Sequence, residues 1–175
     1  MIGEKISSGL PPIDEHWGGF YRGGVYVLYG RLSSGRGLAA MHFARAGVEG
    51  GERVLVATNE RVGNLNIQSA EAGLDLVTAR NEGRLMLVSP TASMRGGRSD
   101  GSGAAELEAI ETAVREFRPG RLVLNHLPSF QTARGEDDAA NSEKWAHSAL
   151  CMGGDAVSGI TEDTNNGATG CSRSK

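Results

Sequence analysis

Residues Gly30 to Gly37 read GRLSSGRG and have the glycine spacing of a phosphate-binding loop. The full pattern is G-x-x-x-x-G-K-[ST]. Its glycines let backbone amides turn toward a phosphate, its lysine reaches the β and γ phosphates, and its hydroxyl binds Mg²⁺. Here Arg36 replaces the lysine and Gly37 replaces the hydroxyl residue. The candidate nucleotide-binding residues are Gly30, Ser33, Ser34, Gly35, Arg36 and Gly37.

These two replacements separate phosphate binding from metal chemistry. Amides of the loop and of the following helix N-terminus can hold a phosphate without a metal, and Arg36 keeps a positive charge there. Its guanidinium pairs with phosphate as a fork, which suits a diphosphate or sulfate better than a correctly placed γ-phosphate. Two interpretations stay open: weak, metal-independent nucleotide binding, and a tight strand-to-helix turn that holds no ligand.

The elements that would position this loop alternate along the chain. Apolar strand patterns, separated by segments of helical periodicity, occur at residues 25–29, 53–58, 84–89 and 121–127. Further helices are expected near Ala104–Phe117 and Asn141–Met152, and a weak strand in the stretch DAVSGIT. This alternation predicts βαβ units, and hence an α/β fold with a mostly parallel sheet and helices on both faces.

Several longer stretches resemble one protein family. The segments ISSGLPPIDEHWGGFYRGGVYVLYG, GERVLVATNE and REFRPGRLVLNHLPSF are similar to the KaiC and RadA branch of the RecA-like P-loop ATPases, with KaiC the nearer. The likeness runs from about Ile6 to Phe130 and weakens toward Glu162. It implies a RecA-like core, ATP at the Gly30 to Gly37 loop, and an oligomeric ring with nucleotide at a subunit interface.

The resemblance also implies which residues would carry metal-dependent hydrolysis. The family loop usually ends in Gly-Lys-Thr or Gly-Lys-Ser, and this chain has neither the Lys nor the hydroxyl. Its second motif is an apolar strand ending in an Asp that holds the Mg²⁺ shell, and that position is Asn125 here. An acidic pair that activates water is reduced to Glu60 beside Arg61. Glu60 is therefore the candidate catalytic remnant, and Asn125 is a degenerate metal position.

These replacements predict a pseudo-ATPase. Mg²⁺ supplies several kcal/mol of transition-state stabilisation, so loss of its ligands slows hydrolysis by about a thousandfold or more. We expect binding of ATP or ADP to be weak or absent, and we expect no bound Mg²⁺ or other metal. The predicted function is a regulatory or signalling module.

One alternative is a slow but genuine KaiC-family ATPase. The other is a RadA-like DNA repair or recombination factor, which the acidic run Glu136-Asp137-Asp138 opposes by repelling phosphates.

Composition limits the partners. Lys and Arg number 18 against 21 Asp and Glu, for a net charge of -3, so no charge excess favours nucleic acid or an anionic membrane. No apolar run approaches the ~18 residues of a membrane span, and two cysteines form no disulfide framework. We therefore expect a cytoplasmic protein with a protein partner or self-association, and a monomer, a dimer and a hexamer all stay open.

The length predicts a single domain at residues 1–162, followed by a disordered tail at residues 163–175. Compared with other RecA-like cores, the domain is expected to be shortened at its C-terminus, which would leave an exposed sheet edge. His126, at the end of a predicted strand, could act as a general base with Glu60. A packed strand-end histidine is the commoner outcome.

Overall fold

The computed structural model describes residues 3–31, 34–89, 103–125 and 145–152 of the 175-residue chain. The strands are β1 Lys5–Ile6, β2 Phe20–Tyr21, β3 Val25–Arg31, β4 Val54–Thr58, β5 Leu85–Val88, β6 Arg121–Asn125 and β7 Trp145–Met152. The helices are α1 Pro11–Trp17, α2 Arg36–Glu49, α3 Val62–Glu71, α4 Leu76–Asn81 and α5 Gly103–Phe117. Within these residues, no helix is both long enough and apolar enough to cross a bilayer.

The main sheet has the strand order β3-β7-β6-β4-β5. Strand β4 pairs in parallel with β5 on one side and with β6 on the other. Strand β7 pairs antiparallel with both β6 and β3. Strands β1 and β2 form a separate antiparallel pair. The predicted α/β class and its alternation of strands and helices from β3 to β6 are confirmed.

The helix predicted near Asn141–Met152 is wrong over the residues that the structure describes there. Residues Trp145–Met152 form β7, whose backbone joins ladders on both sides. A strand of this kind depends on partners distant in sequence, which local periodicity does not reveal. The parallel part of the sheet is therefore β5, β4 and β6, and β7 separates β3 from it.

Several other predictions fall outside the described residues and stay predictions. They concern Ser33, His126, the acidic run at residues 136–138, the strand in DAVSGIT and the tail at residues 163–175.

Helices cover both faces of the sheet, as the alternation predicts. Every side chain of β4 is buried, and successive residues point to opposite faces. On one face, Val54 and Val56 belong to an apolar cluster that includes α2, α3 and α4. On the other face, Leu55 packs with Ile110 and Val114 of α5. The two clusters hold the carboxyl ends of β4 and β6 in a fixed position.

The helical stretch after β4 divides into two helices. Gly73 adopts a positive φ of 76°, a conformation that ends α3 and favours glycine. Asp75 then caps α4, because its side chain accepts hydrogen bonds from the backbone amides of Val77 and Thr78, both at 3.0 Å. The break leaves α3 as a short helix beside the N-terminus of α2.

Arg121 is a buried cation at the start of β6 and is 2% exposed. Its Nη1 donates to the carbonyl oxygens of Ser7 at 2.7 Å and Phe43 at 3.2 Å. Its Nε and Nη2 donate to the Glu52 carboxylate at 3.3 and 3.4 Å. The guanidinium also lies 4.8 Å from the centre of the Phe43 ring. Arg121 thus links the N-terminal segment, α2 and β6.

Asp14 ties α1 to the segment before it. Its carboxylate accepts hydrogen bonds from the Ser7 hydroxyl at 2.6 Å, the Ser8 hydroxyl at 2.6 Å and the Ser8 amide at 2.7 Å. Burial raises the pKa of the Asp14 carboxyl, and these hydrogen bonds lower it. The hydrogen bonds together have the larger effect, so the pKa lies below its usual value. The folded state therefore favours the charged form.

Strand β3 lies at one edge of the described sheet. Its residues alternate in exposure, and Val25, Val27 and Tyr29 are exposed at 47%, 60% and 50%. The alternate residues Tyr26 and Leu28 pack against the cluster that contains α2. One face of β3 therefore presents apolar side chains to the outside.

Replacing Arg121 with Ala is expected to lower the free energy of unfolding by about 3 kcal/mol, because it leaves Glu52 and two carbonyl groups without a buried donor. Arg22 provides a matched control, since it contacts the same Glu52 at 3.5 Å from a more exposed position. Arg22→Ala should change stability by about 0 to 1 kcal/mol. Urea denaturation followed by circular dichroism measures both, and equal effects would contradict the anchoring role of Arg121.

Asp14→Asn is expected to destabilise the protein at pH 7 by about 1 kcal/mol, since it weakens charge-assisted hydrogen bonds. Because the folded pKa is depressed, this stabilisation is present above the usual pKa of 3.8 and disappears as pH falls through the folded pKa. Melting temperatures of variant and wild type should therefore converge below pH 4. Glu15→Gln on the same helix is the control, and a pH-independent difference would contradict the prediction.

Candidate functional site

The loop after β3 is closed tightly over Gly30. The Ser34 amide donates to the Arg31 carbonyl at 3.0 Å, which turns the chain back. A Cβ added at Gly30 would lie 2.7 Å from the Ser34 hydroxyl oxygen, a distance that no side chain tolerates. Gly30 must therefore be glycine for Ser34 to lie where it does.

Gly35 begins helix α2 in a left-handed conformation, with φ of 79°. The first backbone hydrogen bond of the helix runs from the Ala39 amide to the Gly35 carbonyl at 2.9 Å. Among the described residues no side chain caps this terminus, and its first turn has no acidic residue. The amides ahead of Ala39 point out of a 14-residue helix, as they do at anion-binding helix N-termini.

Arg36 folds back across the loop. It is 6% exposed, and its Nη1 donates to the Gly30 carbonyl oxygen at 2.8 Å. Burial lowers the pKa of Arg36 below its usual value, although an arginine stays charged at neutral pH. The guanidinium joins both ends of the glycine loop and fixes a positive charge beside it.

Glu60 and Asn125 meet at the carboxyl ends of β4 and β6. Thr58 of β4 is paired with Asn125 of β6 across the parallel ladder, and the Glu60 amide donates to the Thr58 hydroxyl at 3.1 Å. The Asn125 side-chain amide then donates to Glu60 Oε2 at 3.4 Å. Asn125 is 1% exposed. Two residues singled out separately in the sequence thus lie in contact.

Gln68 of α3 completes this group. Its Nε2 donates to Glu60 Oε1 at 2.7 Å, so that each oxygen of the Glu60 carboxylate accepts from a side-chain amide. Gln68 also lies against Gly37, the second residue of α2. A Cβ added at Gly37 would be 2.3 Å from Gln68 Oε1 and 3.0 Å from its Cδ. The Gly37 corner of the loop is therefore filled by an amide.

The glycine loop and the strand ends form one site in the structure. Gly30, Ser34, Gly35, Arg36 and Gly37 surround the start of α2, and Gln68 connects Gly37 to Glu60 and Asn125. Sequence reasoning missed Gln68, because it belongs to no motif and is placed by the packing of α3 against α2.

A family model described as "ATPase: KaiC" matches residues 6–173. The chain belongs to the KaiC ATPase family. Its fold is accordingly the RecA-like P-loop ATPase fold that the sequence resemblance implies.

Curated KaiC-family proteins are similar at modest identity. The circadian clock oscillator protein KaiC of Prochlorococcus marinus (strain MIT 9313) is 28% identical over 133 residues, which cover 75% of this chain and 25% of that protein. The circadian clock oscillator protein KaiC of Thermostichus vulcanus is 25% identical over 138 residues, covering 78% and 25%. The circadian clock protein KaiC2 of Synechocystis sp. is 28% identical over 141 residues, covering 79% and 24%. The chain spans about a quarter of the length of these relatives.

The residues present fit a phosphate of the ATP that a KaiC-family ATPase implies, because the loop glycines and the α2 amides form a cradle beside the Arg36 charge. They do not fit Mg²⁺. Gly37 has no side-chain oxygen, and Asn125 directs an amide donor toward Glu60. Within the described ranges, no group of three His, Cys, Asp or Glu residues could hold a metal ion.

Asn125→Asp is expected to destabilise the protein by about 2 kcal/mol at pH 7, because it places a buried carboxylate against the half-buried carboxylate of Glu60. Protonation of the introduced carboxyl relieves its repulsion with Glu60, so the loss should be larger at pH 7 than near pH 4. Urea denaturation across this range measures it. Asn64→Asp, at an exposed position of α3, should change little, and a pH-independent Asn125→Asp effect would contradict the contact with Glu60.

Proposed function

We propose that this KaiC-family chain binds the phosphates of ADP or ATP without a metal ion, hydrolyses ATP very slowly or not at all, and serves as a regulatory module. The observation that carries the proposal is the hydrogen-bonded group of Gln68, Glu60 and Asn125. It puts amide groups beside the Gly37 corner, where the family pattern has metal ligands.

Phosphate binding is supported by the start of α2. Its outward amides and the fixed charge of Arg36 both favour an anion, and neither depends on a cation. Gly35, where an added Cβ would meet none of the described atoms within 4 Å, leaves room for a ligand to approach the backbone closely. A diphosphate held at this terminus would therefore retain most of its contacts when Mg²⁺ is removed.

Weak hydrolysis follows from the metal position. Mg²⁺ stabilises charge in the phosphoryl-transfer transition state, and the neutral Asn125 and the side-chain-free Gly37 are poor ligands for it. Loss of several kcal/mol of this stabilisation corresponds to about a thousandfold slower turnover.

A regulatory role through a protein partner or self-association is supported by the apolar outer face of β3. Val25, Val27 and Tyr29 lie on β3, an edge strand of the sheet formed by the described residues, and edge strands are a common place for chain association. The strand leads directly into the glycine loop, so a partner bound along β3 would lie next to the candidate site.

A slow but genuine ATPase is the second candidate, and Glu60 favours it. This carboxylate lies on the loop side of the strand ends, where it could orient a water molecule, although both oxygens already accept hydrogen bonds. Turnover separates the two candidates.

Titration of the protein with fluorescently labelled ADP and ATP, in Mg²⁺ and in EDTA, tests the proposal. We expect affinities within about twofold of each other in the two buffers, and Arg36→Ala should weaken binding about tenfold by removing a charge-assisted contact. Arg45→Ala on the same helix is the matched control and should leave affinity unchanged. Rapid Mg²⁺-dependent hydrolysis would favour the ATPase, and undetectable binding in both buffers would overturn the proposal.

A further inference from the structure

We infer that Gln68 is a positioning residue that makes this site independent of metal, an inference that rests on the proposed function. Its amide occupies the space into which a hydroxyl side chain at position 37 would extend. The same amide holds the Glu60 carboxylate through a 2.7 Å hydrogen bond. One side chain therefore controls both the hydroxyl corner and the carboxylate of the site.

A side chain at position 37 and the observed conformation of Gln68 cannot be present together. With Gly37 present, Gln68 Oε1 lies 2.3 Å from where a Cβ would be, so any larger residue must displace the amide. Gln68 is long and flexible, and the amide can swing away. Its movement breaks the hydrogen bond to Glu60, which is charge-assisted and stronger than a neutral one.

The orientation of Gln68 is set by Glu60. Nε2 must face the carboxylate in order to donate, and this turns Oε1 toward Gly37 at the positive end of α2. Within the part of the chain that the structure describes, Oε1 is buried and accepts no hydrogen bond. The hydrogen bond from Gln68 Nε2 to Glu60 thus holds the acceptor Oε1 of Gln68 at the N-terminus of α2.

The carboxylate of Glu60 is held in place by two hydrogen bonds. Gln68 and Asn125 donate to different oxygens of its carboxylate and so hold it toward α3 and β6. A Mg²⁺ ion with its water shell would compete with Gln68 both for this carboxylate and for the corner beside residue 37. The Gln68 to Glu60 hydrogen bond therefore opposes metal binding as long as residue 37 is glycine.

A stability cycle tests the exclusive arrangement without any nucleotide. Gly37→Thr should lower the melting temperature by about 3 °C, since it displaces Gln68 from Glu60. Gly63→Thr is the matched control: Gly63 is also the second residue of its helix, and a Cβ there would meet nothing within 4 Å. In a Gln68→Ala background, Gly37→Thr should behave like Gly63→Thr. Full additivity of Gly37→Thr and Gln68→Ala would overturn the inference.

Metal dependence gives a readout that a purely structural role would not change. The variant Arg36→Lys/Asn125→Asp restores the family's residues at the loop lysine and the metal position, and Gly37 leaves Gln68 in place against Glu60. We expect its ATP affinity in Mg²⁺ relative to EDTA to rise about tenfold further when Gln68→Ala is added, since a charge-assisted bond of at least ~1.4 kcal/mol no longer competes. An equal ratio with and without Gln68, in folded variants, would overturn the inference.

The two failures are distinguishable. If the wild type binds no nucleotide, the proposed function fails, whereas the stability cycle still decides whether Gln68 and residue 37 exclude each other. If the wild type binds nucleotide equally in Mg²⁺ and EDTA but the cycle is additive, the proposed function stands and the role of Gln68 is wrong.

Discussion

The buried guanidinium of Arg121 fixes the position of helix α2 on the sheet, and the candidate site depends on that position. It donates to the Phe43 carbonyl in the middle of α2 and lies against Gly47, where a Cβ would be 2.7 Å from Arg121 Cδ. The same short strand that begins with Arg121 ends with Asn125, which contacts Glu60. Strand β6 therefore contacts helix α2 through its first residue and contributes its last residue, Asn125, to the candidate site.

The sequence predicted those parts of the site that depend on local pattern or on a general rule of sheets. The glycine spacing located the loop, and the carboxyl-end rule for parallel strands is enough to bring Glu60 and Asn125 together. Gln68 and Arg121 could not be found in this way. A charged residue at a strand start and a glutamine in a mid-chain helix look like surface residues. Arg121 is buried against Glu52, which lies 69 residues away, and Gln68 is half-buried against Glu60, which is positioned by the end of β4 and not by the helix that carries Gln68.

The fold shows the same division between local and distant determinants. Strands β4, β5 and β6 are short apolar runs that lie between helices, and their pattern predicted them correctly. Strand β7 falls in the segment that the sequence analysis predicted as a helix near Asn141–Met152. It forms a strand because β3 and β6 both offer ladder partners, which supply backbone hydrogen bonds along its length. Such a strand is specified by its neighbours rather than by its own sequence.

The proposed loss of metal binding and the proposed retention of phosphate binding are consequences of the same substitution. A carboxylate at position 125 would repel a phosphate by about 4 kcal/mol at 4 Å in a medium of intermediate dielectric constant, and a divalent cation would offset this repulsion. Asn125 removes the negative charge, so the cation is no longer needed to offset it. Gln68 extends the effect, because its donor compensates part of the remaining charge on Glu60. A bound phosphate would then be attracted by the α2 amides and by Arg36, and it would be repelled only by the hydrogen-bonded carboxylate of Glu60. The sum of these charges favours an anion that carries no metal ion.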